Sequence, residues 1–183
     1  MSVVAVSLSE SKSAFQDYFE LFGLQKHFQI DLSALEKAYL LIQQEVHPDK
    51  HATAGDSQKR ASLQMATYAN SAYQTLRNPV KRGLYLCELA GLDPKLETNT
   101  AMPVAFLMQQ MEWREALDEI RQDINAIEKL LVEVTRCKQS YLLEIQHLFD
   151  DLGDAQGALD KLRASLFMER FQDELDNAMA DLL

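Results

Sequence analysis

Apolar residues in this chain recur every three or four positions, and the polar breaks between the runs carry residues that cap and end helices. Asp17-Tyr18-Phe19-Glu20-Leu21-Phe22-Gly23-Leu24 predicts a short apolar helical turn stopped by Gly23, which tolerates a left-handed exit. A longer helix follows, with Asp31 placed to cap it and Ser33 and Glu36 at capping-box spacing. Leu32, Leu35, Tyr39, Ile42 and Val46 mark its buried face, and Pro48 ends it. His47 to Ser57 reads as a polar loop. Beyond it Met65, Ala69, Ala72 and Leu76 share one side of a third helix. Asn78-Pro79 then has N-cap and first-turn chemistry, opening a short amphipathic helix through Tyr85 and Leu89 to Gly91. Four helices are expected before residue 92.

From Gly91 to Pro103 the prolines and cap-type residues describe a short, fairly stiff connector. Pro103 opens a helical region in which Phe106, Trp113, Leu117, Ile120, Ile124 and Ile127 keep one side. Leu130, Leu131, Val134, Tyr141, Ile145, Leu148 and Leu152 continue at helical spacing to Gly153, with a turn expected near Asp123 to Glu128. A last helix covers about Asp154 to Leu183. The expected fold is all-α: an N-terminal extension over residues 1–16, a four-helix domain over 17–91, a linker over 92–103 and a three-helix bundle over 104–183.

Composition agrees with helices and narrows the function. With 47% hydrophobic and 25% charged residues but only 6 Gly and 4 Pro, an all-β fold and wholesale disorder are both excluded. The formal charge of -10 argues against general nucleic-acid binding, which depends on neutralising phosphates. Residues 18–90 carry eight bases and seven acids, residues 91–183 nine bases and nineteen acids, so the acidity belongs to the second half. No apolar run approaches the roughly eighteen residues that span a bilayer, and no membrane partner is expected. The start lacks the basic residues of a secretory signal, and Cys87 and Cys137 show neither ligand spacing nor a disulfide framework. A cytoplasmic protein is expected.

His47, Asp49 and His51 are the one cluster that invites a metal reading. Pro48 removes an amide and biases His47 away from helical angles, so the two imidazoles cannot share a continuous helical turn. No phosphate loop, nucleophile elbow or other catalytic constellation is present, and no enzymatic activity, cofactor or metal is expected. What Pro48 does is hold a histidine and a carboxylate in a fixed turn between two helices, an arrangement suited to docking on a partner.

The first helix of the bundle adds a second candidate surface. At 100° per residue with Val104 at zero, Phe106, Trp113, Leu117, Ile120 and Ile124 fall within about 60° of arc on the far side. Leu107, Met108 and Met111 gather near zero with Glu115, and Glu112 flanks them. The longer stripe is the expected core. The shorter one, edged by carboxylates, is either a contact with the N-terminal domain or an exposed site, and flexible Met side chains suit a surface that releases what it binds.

Helix, His47-Pro48-Asp49, loop and helix resemble the J-domain, the module that activates DnaK-type chaperones. Tyr18, Leu21, Gly23 and Leu24 fall at the spacing of its first helix, Asn70, Ala72, Tyr73 and Leu76 resemble its Asn-x-Ala-Tyr-x-x-Leu pattern, and Arg82 and Tyr85 resemble its Arg-x-x-Tyr pair. Asp17-Tyr18-Phe19 to Leu24, Ala105-Phe106-Leu107-Met108, Glu112-Trp113-Arg114-Glu115 and the acidic C-terminal segment are similar to the HscB family, J-type co-chaperones of iron-sulfur cluster assembly. The resemblance runs from about residue 17 to the C-terminus. It implies two partners, a specialised DnaK-type chaperone (HscA type) and the scaffold protein on which clusters are built (IscU type). The cysteine-rich N-terminal extension of some eukaryotic relatives has no counterpart here, and a bacterial form is expected.

The resemblance implies chaperone binding by His47, Pro48 and Asp49, with Lys37 and Lys50 beside them. It implies scaffold binding by Leu107, Met108, Met111, Glu112 and Glu115, and by Phe167 through the Phe167 to Phe171 stretch. A J-domain serving a different client through the bundle is the alternative. Two departures stand out. Gln109 replaces an acid after the Leu-Met pair, leaving that edge less charged. Gln43-Gln44-Glu45-Val46 replaces the basic face that usually precedes His-Pro-Asp, leaving Lys37 as the chief cation of that helix. Lys50, Lys59, Arg60, Lys81 and Arg82 are the neighbouring sources of positive potential. Electrostatic steering onto the chaperone is therefore expected to be modest.

Overall fold

The computed structural model describes residues 17–46, 55–94 and 102–183. Seven α-helices are present among them, and no strand: α1 (Tyr18–Leu21), α2 (Leu32–Glu45), α3 (Asp56–Arg77), α4 (Pro79–Leu89), α5 (Val104–Ile120), α6 (Ile124–Gln146) and α7 (Ala155–Ala180). The chain divides into two compact units, Met1–Arg82 and Gly83–Leu183, and the division falls inside α4.

Three of the first four helices start where a side chain can satisfy a free amide, whereas α3 follows Gly55, which offers no side-chain cap. Asp17 caps α1, accepting from Glu20 N–H at 2.9 Å, and Asp31 caps α2, accepting from Ser33 and Ala34 at 2.8 and 3.2 Å. Asp31 therefore takes the role at which the Ser33 and Glu36 spacing hinted, and Ser33 lies inside the first turn. Asn78 caps α4 through Lys81 N–H at 2.9 Å, with Pro79 in the first position, where its missing amide costs nothing. Gly23 leaves α1 at φ 64°, a left-handed conformation that a Cβ would strain.

Leu35, Ile42 and Val46 bury the expected face of α2, but Leu32, in its first turn, is exposed. Ala69 and Ala72 on α3 are fully buried, and their small side chains let α2 and α3 approach closely. The two helices run antiparallel, as their contacts show: Tyr39 stacks on Tyr73 at 4.2 Å, while Asn70 Oδ1 accepts from both Tyr39 OH and Gln43 Nε2 at 2.7 Å. Arg82 is not a surface cation. It is buried, its Nη1 donates to the Leu76 carbonyl at 2.5 Å, and its guanidinium lies over the Phe28 ring, so it cannot supply the positive surface potential expected of it.

Asp17 is almost fully buried, yet charged. Burial opposes ionisation, but the Lys26 ammonium at 2.6 Å and the backbone amides of Glu20 and Phe19 outweigh it and hold the carboxyl below the ordinary aspartate range.

The second unit is built around α7. Phe106, Trp113 and Leu117 from α5, Ile127, Leu130 and Val134 from α6, and Ala164, Met168, Phe171 and Leu175 from α7 form one core. The turn between α5 and α6 lies at 121–123, where Asp123 caps α6 by accepting from Asn125 and Ala126. Ile124 thus belongs to α6 and not to the stripe of α5. Nearer the start of α7, Ala158, Leu159 and Leu162 are buried. There the Cys87 thiol of α4 donates to the Ala155 carbonyl at 3.6 Å; desolvation pushes that thiol up to about 11, so it is an inert packing group. Ser165 is buried without penalty because its hydroxyl donates to the Lys161 carbonyl.

Gln146 ends α6, and His147–Asp151 form one wider π-helical turn before Gly153 exits at φ 65°. The wider turn shifts the helical phase, so Leu152 is exposed rather than continuing the buried stripe. Asp154 then caps α7 through Gly157 N–H at 2.9 Å.

Two outcomes follow from this packing. Phe171→Ala should lower the stability of the bundle by about 3–5 kcal/mol, read as a lower urea midpoint at unchanged slope. Asp17 stabilises fully above the ordinary aspartate value of 3.8 and loses that contribution as pH falls through its lower folded-state value. Thermal unfolding followed down to about pH 2 should therefore show a shallower acid loss in Asp17→Asn than in the wild type.

Candidate functional site

The candidate site is built on α5, whose start follows from Pro103: its carbonyl accepts from Phe106 and Leu107 N–H at 2.9 and 3.1 Å. The helix has two apolar faces. Its inner face is anchored by Trp113, whose indole lies parallel to Phe171 at 6.1 Å and whose Nε1 donates to Glu133 on α6 at 2.8 Å. With α5 held in that rotation, Leu107, Met108 and Met111 are 40%, 58% and 62% exposed, and Val104 72%. The second face is thus uncovered within its unit.

Carboxylates rim it. Glu112 and Glu115 are exposed along one edge, and Glu119 continues that edge one turn further on. Gln109 donates from Nε2 to Glu112 Oε2 at 3.1 Å and so orients the neighbouring carboxylate. Phe167 on α7 is half-buried. Its ring meets Phe106 edge-on at 5.9 Å and lies parallel to Phe171 at 6.0 Å, while the Arg114 guanidinium covers it at 5.6 Å. It is a seam residue between the core and the outer face of α5.

Val104, Glu119 and Arg114 join the site in the folded structure. Helical spacing places Val104 and Glu119 with the patch; the Arg114 contact depends on the pairing of α5 with α7, which no local pattern encodes. On the first unit Lys37 is exposed on α2. His47, Pro48, Asp49 and Lys50 lie outside the described residues.

Among the described residues no His, Cys, Asp and Glu group could hold a metal ion, and no helix is long and apolar enough to cross a membrane.

A protein-family model described as the HSCB C-terminal oligomerisation domain matches residues 102–176. The co-chaperone protein HscB homolog of Bordetella avium is 46% identical over 162 residues, covering 88% of this chain and 96% of that protein. The homolog from Azoarcus is 43% identical over 169 residues, 91% of this chain and 96% of its own length. Among solved structures, the chaperone HscB from Vibrio cholerae superposes with a TM-score of 0.82 at 32% identity, covering 92% of this chain and all of that one. Human co-chaperone protein HscB gives 0.85 at 27% identity, covering 91% and 84%.

The chain is therefore a J-type co-chaperone in architecture, a J-domain followed by a C-terminal helical bundle. It belongs to the HscB co-chaperone family.

Because the outer face of α5 carries no packing load, polar replacement there should leave stability intact. Leu107→Gln with Met111→Gln should shift unfolding by no more than about 0.5 kcal/mol per site, whereas Phe106→Ala on the opposite face should cost about 3–5 kcal/mol. Urea titration of the three proteins separates the faces.

Proposed function

We propose that the protein is an adaptor that delivers an iron-sulfur scaffold protein of the IscU type to a DnaK-type chaperone of the HscA type and stimulates the chaperone's ATPase. The bundle grips the scaffold through Leu107, Met108, Met111, Glu112 and Glu115, with Phe167 at the seam. His47, Pro48 and Asp49, flanked by Lys37 and Lys50, engage the chaperone. Hydrolysis of ATP takes place in the partner, in the cytoplasm, and this chain supplies contacts rather than chemistry. Residues 92–103 join the J-domain, over 17–91, to the bundle, over 104–183, so that the scaffold and chaperone meet at high effective concentration.

The observation that carries this reading is the uncovered apolar face of α5 with its acidic rim. Burying four apolar side chains favours association, while the carboxylates select a partner whose facing surface carries cations. Methionine adapts to the occupant and leaves it without a rigid lock, as release to a chaperone requires.

Leu107→Ala with Met108→Ala should weaken scaffold binding by about 10–100-fold in calorimetric titration and leave stimulation of the chaperone in the absence of scaffold unchanged. Asp49→Asn should do the reverse, abolishing stimulation with scaffold affinity intact. Unchanged scaffold affinity in the first variant would remove the α5 face from the site, and retention of an unrelated protein in place of the scaffold would assign the bundle a different client.

A further inference from the structure

The two edges of the open face of α5 carry opposite charge. With Val104 at zero and 100° per residue, Glu112, Glu115 and Glu119 lie about 20–80° to one side and Arg114 about 80° to the other, with Leu107 and Met111 between them. The Arg114 edge is the one that meets α7, where its guanidinium lies over the Phe167 ring at 5.6 Å.

That guanidinium is held in place without being neutralised. The carboxylate one turn further on, Asp118, is taken by Arg121, whose Nε lies 3.3 Å from Asp118 Oδ1, and among the described residues Arg114 makes no ion pair. Lying over a ring face engages the charge but leaves the N–H donors in the guanidinium plane open to an acceptor. On the other edge Glu112 is oriented by Gln109 Nε2 at 3.1 Å. An anion and a cation are thus both preset, on opposite sides of one apolar strip.

We propose that Arg114 is a specificity-determining residue of the scaffold site: it receives a carboxylate of the IscU-type scaffold while Glu112 and Glu115 receive the scaffold's cations. The proposal rests on the proposed function and adds a direction to it. An apolar strip alone accepts an occupant either way round. Opposite charges on its edges favour one orientation and penalise the reverse, in which like charges would meet. An arginine already resting on an aromatic ring loses less freedom on binding than an unsupported one, and its planar fork matches a carboxylate at two points.

Calorimetric titration of the full chain with a purified IscU-type scaffold protein tests this. Arg114→Met keeps a long side chain over the Phe167 ring but removes the charge and the donors. It should weaken binding by about tenfold and make the affinity less dependent on salt between about 50 and 250 mM, because one ion pair is gone. Arg114→Lys, which keeps the charge without the fork, should fall between Arg114→Met and the wild type. If Arg114 instead faced the scaffold's cations, its removal from beside an acidic rim would tighten binding. An Arg114→Met chain that binds as tightly as the wild type, or more tightly, therefore overturns the proposal and leaves the scaffold site standing. Weaker binding with unchanged salt dependence also overturns it, assigning Arg114 to holding the Phe167 ring or to a neutral acceptor. A wild-type chain that does not bind the scaffold removes both the proposal and the function on which it rests.

Discussion

The bundle depends on how Trp113 is held. A helix with apolar residues on two sides could bury either, and a rotation of one residue would turn α5 by about 100° and carry part of the Leu107, Met108 and Met111 face inward. The indole removes that freedom by combining a non-directional contact with a directional one: its ring lies parallel to Phe171, and its N–H is committed to Glu133. Phe106 extends the same aromatic layer to Tyr141 and Phe167. Each ring buries apolar area of the kind that contributes about 1.5–3 kcal/mol, and the hydrogen bond selects which rotation receives it.

The first unit solves a similar problem with different means. Alanines at 69 and 72 bring α2 and α3 close, and Asn70 between them accepts two hydrogen bonds on one oxygen from the facing helix. Small apolar residues set the separation and the amide sets the register. Arg82 shows the same economy from the opposite direction: a cation is buried because a backbone carbonyl and an aromatic face receive it.

Charge is distributed to match. Acids crowd the second half, where some hold structure, as Glu144 does with Lys161, while Glu112 and Glu115 stand exposed beside the open patch. In the first unit, buried Asp17 keeps its charge only because Lys26 and two amides face it. A carboxylate is a structural group where it is buried against a cation, as Asp17 is, and a surface determinant where it stays exposed, as Glu112 and Glu115 do.

Most of the helical layout was legible in the sequence, because caps and periodicity are local. Asp31 and Asn78 satisfy amides two or three residues away, and Gly153 admits a left-handed angle through its own lack of a Cβ. The two faces of α5 were legible for the same reason, since angular position on a helix depends only on residue number. What the sequence left open was whether the shorter face is covered, because burial depends on atoms brought from distant positions. Ile124 lies on the next helix, Leu32 and Leu152 are exposed despite their spacing, and Phe167 sits at a seam that exists only once α7 meets α5 under Arg114. The His-Pro-Asp turn is likewise read from its residues alone. Local chemistry determined where helices begin, end and turn their apolar sides; the tertiary structure decided which of those sides water still reaches, since only packed neighbours can remove it.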